Sequence, residues 1–148
     1  MGARTVMLSI PKILYDEIIA HCRSRYPKEA CGILAGASGI VEQVYPMINV
    51  EDSPIGYSMD PKEQLAVEKQ MRQGGQRMLG IYHSHTASAA YPSSVDVTLA
   101  ISPDVSYVFI SLQRNESPDM KSYRIDGTTI TEEPLEVAEG GSARIGAR

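Results

Sequence analysis

The chain has 148 residues, of which 43% are hydrophobic and 22% are charged, and its formal net charge is −4. This length suits one domain with a hydrophobic core, and so small a negative charge does not favour a nucleic-acid surface or an anionic membrane. No stretch reaches the ~20 apolar residues that span a bilayer, and no export signal is recognisable, so we expect a cytoplasmic protein.

The N-terminal part predicts a strand followed by a helix. Residues 5–10 read as a short strand, and Pro11 suits the first turn of a helix that Pro27 ends. A buried stripe of this helix is predicted at Ile13, Leu14, Ile18 and Cys22. We interpret the two cysteines, Cys22 and Cys31, as small buried hydrophobic residues; a nucleophilic thiol is the alternative.

Two apolar runs, residues 31–35 and 40–48, predict neighbouring strands, and a polar loop follows at 49–58. A second helix is expected from Asp60, a capping residue followed by proline at the first helical position and glutamate at the third. It should run to about Gln73, where two glycines stop it.

The second half of the chain continues the alternation of strands and helices. Strands are predicted at residues 78–83, 105–112, 120–125 and 128–131. A loop is expected at 86–92 and a helix from about Ser93. The alternation predicts an α/β fold, a three-layer arrangement in which helices flank a central mixed sheet. Residues 1–137 would form this domain, and 138–148, which lack an apolar period, a flexible tail.

A histidine pair and one aspartate carry the clearest chemistry. His83 and His85 alternate along a strand and therefore share one face, where two imidazoles can bind one ion. Asp96 follows in the first turn of the next helix, and two histidines with one carboxylate leave a zinc position open for water. The alternatives are surface or hydrogen-bonded histidines, and a capping box in which Ser93 and Asp96 only satisfy helix amides.

A hydrolytic site also needs a base for the water and a donor for the oxyanion. Pattern alone cannot select one of the eleven glutamates. Glu29 is the best candidate because it directly precedes the buried run that begins at Cys31. A solvated loop glutamate is the alternative.

Taken together, these residues resemble the JAMM, or MPN-plus, metalloproteases. That signature is a distant glutamate, then His-Ser/Thr-His, seven residues, Ser, two residues and Asp. Its spacing is met here by Glu29, His83-Ser84-His85, residues 86–92, Ser93 and Asp96. The resemblance covers roughly residues 5–136. The phrases EACGILAG, YSMDPKEQ, GIYHSH and YPSSVD are similar to a short bacterial branch that includes Mec-like hydrolases of ubiquitin-like sulfur-carrier proteins.

The resemblance implies a role for each of these residues within a cytidine-deaminase-like MPN fold. His83, His85 and Asp96 would bind Zn²⁺. Glu29 would hold the water, take its proton and pass it to the leaving amine, and Ser93 would stabilise the oxyanion. One position departs from the family, because many members have proline where this chain has Thr86.

The implied function is a zinc-dependent peptidase or isopeptidase. It would cleave the amide bond after the C-terminal glycine of a ubiquitin-like or sulfur-carrier protein, releasing an amino acid such as cysteine. The partner would be a carrier with a Gly-Gly tail, bound between the loops at 49–58 and 86–92; such tails commonly add a strand to a sheet edge. A homo-oligomer is also open.

Other functions remain in view. A non-catalytic MPN scaffold would typically have lost ligands, and a chain-specific deubiquitinase typically has long insertions that find no room here. A nucleotide deaminase is excluded, because it needs HxE and PCxxC motifs that the sequence lacks.

Overall fold

The computed structural model describes residues 7–100 and 102–139. This part of the chain contains eight strands and three helices: β1 (Leu8–Pro11), α1 (Lys12–Arg25), β2 (Cys31–Ala37), β3 (Ile40–Met47), α2 (Pro61–Gln73), β4 (Arg77–His85), α3 (Ser94–Leu99), β5 (Ser106–Ser111), β6 (Asp119–Asp126), β7 (Thr129–Glu133) and β8 (Leu135–Ala138). Among these helices none is long and apolar enough to cross a membrane.

All eight strands join one sheet in the order β7-β6-β5-β4-β2-β3-β1-β8. β4 runs parallel to β5, and β1 runs parallel to both β3 and β8, whereas the remaining neighbours are antiparallel. The predicted mixed central sheet is therefore confirmed.

Alternation along β2 explains why helices cover both faces of the sheet. Leu34 packs into the core that α1 completes with Leu14 and Ile18. Its neighbour Ile33 points the other way, into a core with Val67 and further residues of α2. Because successive strand residues face opposite sides, a fully apolar strand such as β2 needs a layer on each side, which confirms the three-layer prediction.

Three local predictions need correction. Ile13 is 49% exposed, because the buried stripe of α1 is centred on Leu14 and Ile18 and leaves Ile13 beside the solvent face. Asp60 is the N-cap residue of α2, but its side chain makes no capping bond. Glu63 reaches away from the cap instead, and its Oε1 accepts from the backbone N–H of Ile48.

The chain end also differs from the prediction. β8 was not predicted; it is short and exists because it pairs with β1 through four residues, a long-range contact that a local pattern does not reveal. Ala138 is its last residue, so the predicted start of the tail falls inside a strand. Residues 140–148 lie outside the described part of the chain, and their flexibility stays a prediction.

Register brings the residues of interest to one end of β4. Cys31 pairs with His83, so that Glu29, two residues earlier, comes opposite the end of β4 near His85. Ser84 locks this arrangement, because its hydroxyl accepts from the N–H of Ala30 at 2.9 Å and its own N–H donates to the carbonyl of Ala30 at 3.0 Å. The strand predicted to finish at residue 83 continues to His85, which places both histidines in regular sheet.

Candidate metal and catalytic site

The two histidines lie at the end of a central strand and are almost completely buried. His83 is 4% exposed and His85 5%. Phe109, on the parallel neighbour β5, makes T-shaped contacts with both imidazoles, with ring centroids 4.8 and 5.2 Å away. Tyr57 stacks on His83 at 4.4 Å between ring centroids. These aromatic rings hold the two imidazoles in place and exclude water from their sides.

Asp96 enters the site from the first turn of α3. Its Oδ1 lies 3.1 Å from Nε2 of His83, and its Oδ2 lies 3.0 Å from Nε2 of His85. Asp96 also closes a capping box with Ser93: the N–H of Ser93 donates to Oδ2, and the N–H of Asp96 donates to the hydroxyl oxygen of Ser93. The helix cap and the cluster of donor atoms therefore coexist, and the capping box aims the carboxylate at the histidines.

The hydrogen-bond geometry around His85 leaves a place for a proton or a metal ion between these groups. Nδ1 of His85 lies 2.9 Å from the carbonyl of Ala89, which only accepts, so Nδ1 carries a proton. In a neutral His85, Nε2 then has a lone pair that faces Oδ2 of Asp96, and two acceptors 3.0 Å apart require a proton or a metal ion. Nε2 of His83 is buried and makes no hydrogen bond of acceptable geometry, although Oδ1 of Asp96 is close.

The three donor atoms fit a small divalent metal. They all lie within 4.8 Å of one another. Ligands about 2.0–2.2 Å from a tetrahedral zinc ion stand on the order of 3.4 Å apart, so only small shifts would be needed. The hydrogen bond from His85 to the carbonyl of Ala89 is the kind of outer contact that orients a ligating histidine. We conclude that the cluster of His83, His85 and Asp96 can hold a metal.

Glu29 lies beside this cluster and is 6% exposed. Burial raises the pKa of its carboxyl to about 7; the nearby His85 opposes this rise, and the carboxylates of Asp96 and Glu51 add to it. Within the described residues, Glu29 is not a member of the group that could hold the metal. A buried carboxyl with a pKa near neutrality can exchange protons at ordinary pH, as a general base must.

Ser93 faces the same cleft from the start of α3. Its hydroxyl oxygen accepts the hydrogen bond of the helix cap, and this uses only a lone pair. The hydroxyl proton remains available to donate, because one O–H group both donates and accepts. The capping role therefore does not exclude the role of an oxyanion donor.

A cleft of about 480 Å³ leads to these residues. Both loops that were predicted as its walls line it, the first through residues 51 and 53–57 and the second through 86–88, and α3 adds Val95 and Leu99. Thr86, the residue that replaces the family's proline, donates a hydrogen bond from its hydroxyl to the carbonyl of Pro54 at 3.1 Å. This contact joins the two walls.

Two residues of the site were missed by the sequence reasoning. Tyr57 covers His83, and Asn49 holds the first wall through its buried side chain. Both lie in the loop at 49–58, where no periodicity marks a residue as buried. The phrase YSMDPKEQ included Tyr57, but only as a mark of resemblance, and nothing local distinguished Asn49 from a surface asparagine.

The cysteines do not contribute a nucleophile. Cys22 and Cys31 are free and buried. Burial raises the pKa of each thiol to about 12. A thiol that stays protonated at neutral pH is a poor nucleophile, which supports their interpretation as core residues.

The mixed sheet, its flanking helices and the His-His-Asp cluster at the end of β4 define a JAB, or MPN, domain. The family model of prokaryotic homologs of the JAB domain matches residues 11–126, and the chain belongs to this family. The resemblance seen in the sequence is thereby confirmed.

Individual relatives agree with this membership. The chain is 44% identical over 135 residues to a CysO-cysteine peptidase from Mycobacterium tuberculosis, which covers 90% of this chain and 92% of that protein. It is 38% identical over 97 residues to a probable TtuB-protein conjugate cleaving protease from Thermus thermophilus, covering 65% of each. Among solved structures, a protein from Desulfitobacterium hafniense superposes with a TM-score of 0.83 at 42% identity, over 90% of this chain and 94% of that one.

Proposed function

We propose that this protein is a peptidase that hydrolyses conjugates of a ubiquitin-like or sulfur-carrier protein at the amide bond after the carrier's C-terminal glycine. The observation that carries the proposal is that a buried carboxyl and a hydroxyl donor share one cleft with a group of side chains that could hold a metal. Similarity along nine tenths of the chain to a CysO-cysteine peptidase supports the class of substrate.

Zinc is the metal that we propose for His83, His85 and Asp96. Two imidazoles and one carboxylate match the ligand types of catalytic zinc sites, which keep one position open. When bound, zinc would supply Lewis-acid activation of a water molecule and of the scissile carbonyl.

In this proposal the remaining steps belong to side chains of the chain itself. Glu29 takes a proton from the attacking water and later delivers it to the nitrogen of the leaving amine. The hydroxyl of Ser93 donates a hydrogen bond to the oxyanion that forms as water adds to the carbonyl. Breaking the carbon–nitrogen bond then leaves a free carboxylate on the carrier tail and an amine product.

The position of the site in the sheet bears on how a carrier tail would reach it. The outer strands of the sheet are β7 and β8, and at least two strands separate each of them from β4. We therefore propose that a tail reaches the site along the cleft between the two loops, since addition to an outer strand would leave it away from β4. Glycine suits such a narrow path because it lets the backbone approach closely. We further propose a Gly-Gly tail, a carrier body that supplies most of the affinity, and a cytoplasmic location.

Mass spectrometry of conjugates incubated with zinc-loaded protein tests the function. We expect cleavage of a carrier-Gly-Gly-cysteine adduct to the free carrier, and poor cleavage of the tail peptide alone. A matched sample of the Glu29→Gln variant controls for contaminating proteases. Efficient cleavage of linked ubiquitin with the adduct untouched would contradict the proposed substrate, and no cleavage of any conjugate would contradict the proposed function.

A further inference from the structure

Asn49 is buried at 5% exposure, and every hydrogen-bonding group of its side chain is used. Its Nδ2 donates to the carbonyls of Glu29 at 3.1 Å and Gly56 at 2.9 Å. Its Oδ1 accepts from the N–H groups of Glu51 and Ser58, both at 3.0 Å. A primary amide has two N–H bonds and two lone pairs, so this side chain is fully satisfied. An aspartate would offer the acceptor alone, and a serine would be too short.

These bonds connect the backbone of Glu29 to one wall of the cleft. Besides the bond from Asn49 to its carbonyl, Glu29 donates its N–H to the carbonyl of Ser53 at 2.8 Å. The next residue, Ala30, is fixed on β4 by the reciprocal pair with Ser84. The backbone of Glu29 is therefore bonded to the loop at 49–58 on one side, and the residue after it is bonded to the central strand β4 on the other.

The same side chain shapes the loop itself. Asn49 contacts the backbone of Glu51, Gly56 and Ser58, which spans the segment that lines the cleft. Without these bonds, the segment would retain within itself the backbone bonds from Val50 N–H to the carbonyl of Ser58 and from Asp52 N–H to the carbonyl of Asn49, the bond from Ile55 N–H to the hydroxyl of Ser53, and the bridge between Asn49 and Met59 at its base. It would also keep its bonds to Glu29 and Thr86. Loops with so few backbone bonds of their own take their order from contacts of this kind.

We propose that Asn49 is a positioning residue that sets the carboxyl of Glu29 and the 51–57 wall of the cleft in one arrangement. The inference rests on the proposed function, in which Glu29 is the base. Asn49 touches no reacting atom and acts through Glu29 and the wall. A displacement of about 1 Å in a catalytic group can cost roughly 10²-fold in rate, so the side-chain amide matters for turnover as well as for folding.

Two variants distinguish the donor from the acceptor function of the Asn49 amide, and a third variant is the control. Asn49→Ala removes all four bonds, whereas Asn49→Asp keeps the acceptor and removes both donors. Asn115→Asp is the matched control, because Asn115 is exposed and its Oδ1 only accepts from Arg23. We expect kcat on the carrier conjugate to fall roughly 10²-fold in both Asn49 variants with zinc content unchanged, and Asn115→Asp to match the parent protein.

A double-mutant cycle tests whether Asn49 acts through Glu29. Asn49→Ala should cost clearly less in kcat in a Glu29→Gln background than in the parent protein, because residues that act as a unit are non-additive and only the contribution of the cleft wall remains. A purely structural role predicts the same loss in both backgrounds, and that result would overturn the proposal. Asn49→Asp serves in this cycle if Asn49→Ala does not fold.

Hydrogen exchange measures the arrangement without any substrate. The amides of Glu51 and Ser58 should exchange faster in Asn49→Ala but stay protected in Asn49→Asp, whereas the amide of Glu29 should exchange faster in both. Unchanged exchange at all three amides would overturn the inference. If the parent protein cleaves no conjugate, the proposed function fails alone, and exchange then decides whether Asn49 holds Glu29 and the loop.

Discussion

Glu29 and Asp96 are carboxyl groups of the same cleft, but their surroundings shift their pKa values in opposite directions. For Glu29, burial is the largest effect and raises the pKa to about 7. For Asp96, burial also raises the pKa, but the close imidazoles of His83 and His85 outweigh it and hold the pKa well below its usual range. Two carboxyl groups whose pKa values differ in this way can take different roles, one accepting a proton and one staying charged beside a cation.

Glu29→Gln should keep metal binding and lose most activity. Glutamine retains the size of glutamate but cannot accept the proton, and general base catalysis contributes ~10²–10⁴-fold. Metal analysis and steady-state kinetics on the carrier conjugate measure both properties. Near-parental turnover with a full complement of metal would remove Glu29 from the mechanism.

In metal-free protein, the same variant should also change how the melting temperature depends on pH. Because the folded-state pKa of Glu29 is raised from 4.5 to about 7, folding is penalised as pH rises through that window, and the penalty is complete above it. The variant should therefore unfold at a higher temperature than the parent at about pH 8 and at a similar one at about pH 4. A difference that does not change with pH would contradict the raised pKa.

At the scale of elements, α3 supplies Asp96, the carboxylate that completes the group with the two histidines. It has only six residues and buries none of them completely. Its position depends on the capping box and on packing of Val97 and Ala100 beside Phe109 and Tyr123. A helix this short is held by its cap and its contacts, not by its own propensity. The orientation of the Asp96 side chain therefore depends on Ser93.

Ser93→Ala distinguishes the two roles of that residue. As a helix cap alone, Ser93 contributes about 1 kcal/mol, so its loss should lower stability with little effect on rate. As an oxyanion donor it should also matter for turnover, by ~10²–10³-fold in kcat. We expect both effects, measured by thermal melting and by kinetics on one sample. Ser94→Ala, one position along the chain and outside the capping box, is the control. A melting shift without loss of kcat would leave the cap as the only role.

At the scale of the whole molecule, the cluster of His83, His85 and Asp96 joins the central sheet to the helix that follows it. β4 lies in the centre of the sheet, and α3 follows it after a loop. An ion held by His83, His85 and Asp96 would bridge the sheet and the helix. Such an ion binds only the folded chain, so its binding free energy adds to stability.

Metal removal should therefore lower the melting temperature. A ligand present at 100 times its dissociation constant stabilises by about 2.7 kcal/mol, which corresponds to roughly 5–10 °C for a domain of this size. Calorimetry with zinc and after chelation measures the shift. His83→Ala and Asp96→Ala should lose most of the metal and with it the response to zinc. A full response in both variants would show that the metal binds elsewhere.

The sequence by itself determined the features that depend on local spacing. His83 and His85 share a face because strand side chains alternate, and Ser93 and Asp96 form a capping box because three residues span the first helical turn. The apolar runs indicated the central strands, so that the α/β class was predictable. Two local predictions failed. The side chain of Asp60 was expected to cap α2 and does not, and Ile13 was expected in the buried stripe of α1 but lies at its border with solvent.

Only the tertiary structure decided what comes together. Glu29 lies opposite the end of β4 because β2 and β4 pair in one register, and no local pattern encodes that pairing. β8 exists because β1 is available as its partner, and Asn49 is buried because the loop at 49–58 folds over Glu29. In each case the stabilising contact joins residues far apart in the chain, and its free energy appears only when the rest of the molecule has folded around it.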